Sequence, residues 1–261
     1  MTMTQAARII SQPTTLEDHP WSTDPYTHAL HTGQGPLFLR RPDGWLLPLD
    51  VERWCAEADA ADLDVLRHCE GTVLDVGCGP GRLVAALATR GHPALGIDVS
   101  AEAVRRTRTL GGRALHRSVF DELPAEGRWG TALLIDGNIG IGGDPRALLD
   151  RMTQLLTPAG LLIVETVTDP HVDERVLVHV TDARGAAGTP FPWARLGTTA
   201  LLRHAPRWRA AAQWTTGGRS FVALRSPRAR RDRRGGRTRR STNSSAEPPK
   251  SAAVTSSQRA R

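Results

Sequence analysis

From Thr72 to Ser226 the chain alternates between short apolar runs and segments whose apolar positions recur three and four apart. The runs TVLDV (72–76), ALGID (94–98), RALHR (113–117), TALLID (131–136) and GLLIVETV (160–167) are largely continuous, as in strands buried on both faces. Between them, GRLVAALATR (81–90), AEAVRRTRTL (101–110) and PRALLDRMTQLL (145–156) carry a helical period. Leu83, Val84 and Leu87 turn inward in the first of these, Gly91 closes it, and Ser100 caps the second. RWRAAAQWTT (207–216) and RSFVALRS (219–226) flank Gly217-Gly218, which predicts an antiparallel hairpin. The pattern predicts an α/β domain with a seven-stranded, mostly parallel sheet, helices on both faces and a C-terminal hairpin.

Upstream the pattern is weaker. Asp50 is placed to cap a helix with Val51, Trp54, Cys55 and Ala58 on one face, and a second short helix is expected from Asp64 to Cys69. Residues 24–49 read as loop, broken by Pro25, Pro36, Pro42 and Pro48. They nevertheless hold Tyr26, Phe38 and Trp45, so residues 21–49 are expected to pack as a lid. Residues 1–20 lack periodicity and are expected to be flexible. From Pro227 the chain is Arg, Gly, Ser and Pro with few apolar residues, which predicts a disordered tail over 227–261. The domain is accordingly expected to span 21–226.

Composition narrows the partners. With 261 residues, 39% of them hydrophobic, the chain can bury a core. No run reaches the roughly 18 apolar residues of a membrane helix. The N-terminus does not read as a secretory leader, and three cysteines lie at no metal or disulfide spacing, so a cytoplasmic protein without a membrane partner is expected. The formal charge of +7 belongs to the tail, where ten arginines and Lys250 face only Asp232 and Glu247. RARRDRRGGRTRR (228–240) is able to bind nucleic-acid phosphates. It has no aromatic residue to stack on bases, and the preceding domain is slightly acidic, so a solubilising end is the preferred reading.

The chemistry concentrates in VLDVGCGPGRLV (73–84). A strand that ends in glycines before a helix lets backbone N–H groups approach a ligand at the helix N-terminus. The dinucleotide pattern G-x-G-x-x-G requires glycine where Arg82 stands, because the third glycine, Gly81, comes one place early. Asp75 ends the first strand and Asp98 ends the second, 23 residues later, which places both at one edge of the sheet. A carboxylate in the second position is suited to a ribose diol.

With VLDVGCGPGRL and GIDVS the chain resembles the class I S-adenosylmethionine-dependent methyltransferase family, from about Asp50 to Leu224. The resemblance implies a Rossmann-like fold and S-adenosyl-L-methionine as cofactor. It implies that Gly77, Cys78, Gly79 and Gly81 wrap the methionine part, supported by Asp75. Asp98, with Val99 beside it, then holds the ribose hydroxyls. An acid often binds the adenine amino group after the third strand. Here that place falls on Ser118 and Val119, with Asp121 as a substitute. Asp136, Gly137 and Asn138 begin the loop at the cofactor's reactive end, and Tyr26 belongs to a lid over the cofactor. The Asp-Gly-Asn-Ile run at 136–139 lacks the Asn/Asp-Pro-Pro-aromatic motif of base-amino methylating relatives.

Metal-dependent relatives use acids near the fourth and fifth strands, where this chain has Asp136 and Asp169, but no metal is expected. His28, His31, His171, His179 and His204 are candidate bases, with no catalytic residue assigned. The expected acceptor is a small molecule, in a pocket formed by residues 21–49 and 170–199. RNA or protein methylation through the basic tail, a non-catalytic cofactor-binding protein and a nicotinamide enzyme are the alternatives. The oligomeric state is left open.

Overall fold

The computed structural model describes residues 19–22, 24–185 and 187–227. Both predicted terminal segments lie largely or wholly outside them, including the basic tail from Arg228.

The alternation read from the sequence builds one seven-stranded sheet. Its strands are β3 (Val73–Val76), β4 (Ala94–Asp98), β5 (Ala114–His116), β6 (Trp129–Leu134), β7 (Leu156–Thr166), β10 (Arg209–Thr216) and β11 (Arg219–Arg225). Their order is β10-β11-β7-β6-β3-β4-β5. Strands β3 to β7 pair in parallel, β11 pairs antiparallel to β7, and β10 pairs antiparallel to β11. The chain order reverses between β3 and β6, so a crevice opens beyond their carboxyl ends. Open α/β sheets bind ligands at such a crevice.

Neighbouring strand residues point to opposite faces. Leu74, Ala132, Leu134 and Leu162 meet Leu148, Leu149 and Met152 of α6 (Pro145–Leu155) and Leu201 of α7 (Thr198–His204). Val73, Leu133 and Ile163 meet Val65 and Leu66 of α3 (Ala60–Arg67) and Leu83 and Leu87 of α4 (Arg82–Thr89). Helix α5 (Ala101–Thr109) starts at Ser100, whose side chain accepts from the Ala103 N–H.

Upstream of β3 the structure corrects the sequence reading. Residues 24–49 are not loop but form α1 (Asp24–Thr32), β1 (Leu37–Arg40) and β2 (Leu46–Leu49). Asp50 does cap a helix, α2 (Val51–Cys55), which stops before Ala58. Helix α3 begins earlier than expected, because Asp59 and Asp62 form a reciprocal capping box. The Gly- and Pro-rich stretch after β7 is flanked by two further strands, β8 (Asp173–Asp182) and β9 (Phe191–Leu196).

These four strands make a second, antiparallel sheet of order β2-β1-β8-β9. Tyr26, Leu30, Leu37, Leu39, Val178, Val180, Phe191 and Trp193 share a core between that sheet and α1. The described residues of 21–49 pack by completing this sheet and its core.

Candidate active site

The crevice opens into a cavity of about 1470 Å³. Among the residues named from sequence, Tyr26, Gly77, Cys78, Gly79, Asp98, Val99, Ser118 and Val119 line it, as do Asp136, Gly137 and Asn138. Asp75 and Gly81 do not. The three glycines thus divide between two tasks. At Gly77 a Cβ would stand 2.8 Å from Asn138 Nδ2, which donates to the carbonyls of Val76 (2.8 Å) and Gly77 (2.9 Å). Asn138 therefore holds the glycine loop in place. At Gly81, with φ +94°, a Cβ would lie 2.4 Å from Thr107 Oγ1, so this glycine lets α4 approach α5.

The loop's N–H groups are not aimed at the cavity as the sequence reading supposed. Gly77 and Cys78 both donate to the Ile97 carbonyl, at 2.9 and 3.0 Å, and Gly79 donates to Asp98 Oδ2 at 2.8 Å. The loop spends these donors on β4, and Gly79 keeps a side chain off the cavity wall.

Asp98 is buried, and its Oδ1 accepts from Ser100 N–H at 2.8 Å. The Val99 N–H also favours the ionised carboxylate; a carboxylate has about four acceptor sites, so acceptor capacity remains for a ligand. Burial raises its pKa, against the pull of those N–H groups. Tyr26, 5% exposed, has its hydroxyl near Gly79 and makes no hydrogen bond to another described residue. At the β5 end, Ser118 N–H donates to Asp121 Oδ2 at 2.9 Å, and Ser118 Oγ accepts from Phe120 N–H at 3.2 Å. Ser22 Oγ donates to the Val99 carbonyl, fixing the 3₁₀ turn Pro20–Ser22 over this side.

Asp75 lies beneath the loop, 2% exposed, with its Oδ2 unpartnered. Burial raises its pKa to about 7, with Asp136, Asp98 and Asp62 adding to the rise and Arg82 opposing it.

Arg82, where the dinucleotide pattern needs glycine, anchors a network that the sequence did not reveal. Its Nε and one terminal nitrogen donate to Asp62 at 2.7 and 3.0 Å, and its other terminal nitrogen donates to Asp136 at 2.7 Å. Arg53 reaches Asp136 at 2.5 Å. Arg219 bonds Asp62 at 2.8 Å and Glu165 at 2.7 and 2.8 Å, and Glu165 accepts the Asp136 N–H at 2.8 Å. Three arginines face three carboxylates. Burial would raise the pKa of Asp62 and Asp136, but the arginines outweigh it, taking Asp62 to about 2 and Asp136 below its usual value. The network holds Asp136 at φ +57°, a backbone state that costs about 1–3 kcal/mol.

Across the cavity the wall is apolar, with Leu39, Leu47 and Leu49 from β1 and β2, Leu177 from β8, and Phe191 and Trp193 from β9. None of the five candidate histidines lines it. His204 instead pairs with Asp173 at 2.8 Å, and His31 lies 3.9 Å from Glu102. His19, which the sequence reading passed over, does line the cavity, and burial lowers its pKa to about 4 despite Asp121. Asp169 sits in a turn, accepting the His171 N–H at 2.9 Å. Among the described residues no group of three or more His, Cys, Asp or Glu side chains is placed to hold a metal ion, and no helix is long and apolar enough to cross a membrane.

Residues 41–219 match the family described as "Methyltransferase domain". An uncharacterised methyltransferase of Mycobacterium tuberculosis (strain H37Rv) is 37% identical over 103 residues, covering 38% of this chain and 51% of the relative. The chain thus spans about half the length of the curated relatives it matches. Among solved structures, an S-adenosylmethionine-dependent methyltransferase from Bacteroides fragilis, in complex with S-adenosyl-L-homocysteine, superposes with a TM-score of 0.66. It is 19% identical, over 82% of this chain and 96% of that one. The glycopeptide N-methyltransferase MtfA, complexed with S-adenosylmethionine, gives 0.51 at 13% identity, over 67% and 95%. At these identities the likeness is one of fold. The sheet order, the glycine loop between β3 and α4 and the matched family together show that the chain belongs to the class I S-adenosylmethionine-dependent methyltransferases.

Proposed function

We propose that the protein transfers the methyl group of S-adenosylmethionine to a small-molecule acceptor. One observation carries this reading: Asp98, with acceptor capacity to spare, stands beside side-chain-free glycines in a cavity larger than one ligand requires. Pockets for a single small molecule run to roughly 300–1,000 Å³, and this one holds about 1470 Å³. The residues fit the cofactor. Asp98 offers acceptors for a ribose diol, Gly77 and Gly79 leave space for a chain laid on the loop, and Ser118, Val119 and Asp121 line the nucleobase end.

When bound, S-adenosylmethionine supplies an electrophilic sulfonium methyl group. The protein's share is positioning and exclusion of water. Asn138 fixes the glycine loop, and the arginine–carboxylate network fixes Asp136 and Gly137 at the reactive end. Tyr26 lines the cavity with its hydroxyl near Gly79, within reach of a ligand laid on the loop. Trp21 packs 5.0 Å from the Tyr26 ring and closes the same side. The acceptor enters against the apolar wall of the second sheet.

Calorimetric titration with S-adenosylmethionine, beside NAD and the Asp98→Ala variant, tests the cofactor assignment. Binding of S-adenosylmethionine alone, weakened at least about tenfold in the variant, is the expected outcome. Transfer of a labelled methyl group across a metabolite panel then tests the reaction. Tight cofactor binding with no methylated product would favour a non-catalytic binding protein. Product on RNA or protein, lost when residues 227–261 are deleted, would move the acceptor to a macromolecule.

A further inference from the structure

We infer that the acceptor is a neutral, ring-bearing molecule, taken up through an apolar mouth at Leu177. The inference deepens the proposed methyl transfer and rests on it. Leu177 lines this cavity and is 49% exposed, so it stands where the cavity meets solvent. Behind it the wall is apolar, with Leu39, Leu47 and Leu49. Inside, Trp54, Phe191 and Trp193 line the cavity, and rings pack well against aromatic side chains.

Charge is the second argument. The ionisable groups on the acceptor side are already engaged within the protein. Arg195 donates to Glu174 at 2.7 Å, which balances its charge, while its buried Nε keeps no hydrogen-bond partner among the described residues. Asp144 accepts the Arg146 N–H at 3.0 Å at the start of α6 and lies 3.2 Å from Arg175. Glu165 is held by Arg219. Arg117 and Asp121 lie with Ser118 at the nucleobase end. A charged acceptor would therefore lose its hydration without gaining a counter-ion, and that desolvation selects against it. The second sheet, assembled from residues 37–49 and 173–196, supplies much of this wall, so the selectivity comes from elements outside the seven-stranded sheet.

The test uses the full chain saturated with S-adenosyl-L-homocysteine at pH 7. Calorimetry compares three probes of similar shape: 2-naphthol, 2-naphthoate and 2-naphthylmethylammonium. 2-Naphthol is expected to bind at least about tenfold more tightly than either ion. Leu177→Glu places a charge at the mouth on an exposed position that tolerates it. This variant should weaken 2-naphthol at least about tenfold while leaving S-adenosyl-L-homocysteine affinity unchanged. The inference is overturned if either ion matches 2-naphthol, if 2-naphthol does not bind, or if Leu177→Glu leaves its affinity unaltered. Failure of S-adenosyl-L-homocysteine itself to bind is a different result, which overturns the methyltransferase reading and the inference with it.

Discussion

Asp75 and Asp98 end adjacent strands of one sheet, yet their surroundings treat the two carboxyl groups differently. Asp98 accepts two backbone N–H bonds, whereas Asp75 keeps an orphaned oxygen and a pKa raised to about 7. An unfolded aspartate titrates near 3.9, so between about pH 4 and 7 the native state holds a proton that the unfolded state has lost. Stability contributed by this group therefore falls as pH rises through that window, by a few kcal/mol at most. Asp75→Asn cannot ionise, so its stability relative to the parent should rise from pH 5 to pH 8. Urea melts of the cofactor-free protein at both values measure this. An unchanged difference would mean that Arg82 already compensates the ionised carboxylate.

Asp75 was legible in the sequence because strand, acid, glycine and helix follow one another within a dozen residues, and Asp98 because it closes the next strand 23 residues later. The candidate histidines were not, since a base is defined by what it faces across the cavity. His19 faces it only because Ser22 ties the preceding turn to Val99, 77 residues away.

At the level of elements, Arg82 joins α4 to α3 and to the loop after β6. Removing it leaves Asp62 and Asp136 short of a charge partner in a buried setting, which typically costs about 3–5 kcal/mol. Arg82→Met should lose stability on that scale in denaturant melts, and Arg82→Lys should recover only part, because an ammonium cannot reproduce the bidentate contact with Asp62. Gly81→Ala should also destabilise, since its Cβ would collide with Thr107 at a positive φ.

The parallel strands were readable because burial on both faces produces continuous apolar runs. The second sheet was not. Its strands β1 and β2 have four residues each, Pro48 interrupts the edge strand, and Gly185, Gly188 and Pro190 break the stretch between β8 and β9. Arg82's partners lie 20 and 54 residues from it, beyond any local pattern.

Over the whole molecule, two sheets enclose one chamber, the larger carrying the cofactor loops and the smaller the opposite wall. A chain beginning at Asp50 would lack α1, β1 and β2 and would uncover Val178, Val180, Phe191 and Trp193. Such a truncation should bind the dye 8-anilinonaphthalene-1-sulfonate far more strongly than the parent and should bind S-adenosylmethionine weakly, having lost Tyr26. Normal dye response and affinity would show that the upstream segment is dispensable. The wall has a further consequence for how the protein changes over generations. Strand β1 lies against β8, pairing Leu37 with Asp182 and Arg40 with His179, although about 140 residues separate them in the chain. Recombination that exchanges only one of these stretches with a relative would leave a half-sheet without its partner. A new acceptor preference is therefore inherited as both stretches together, or acquired one side chain at a time.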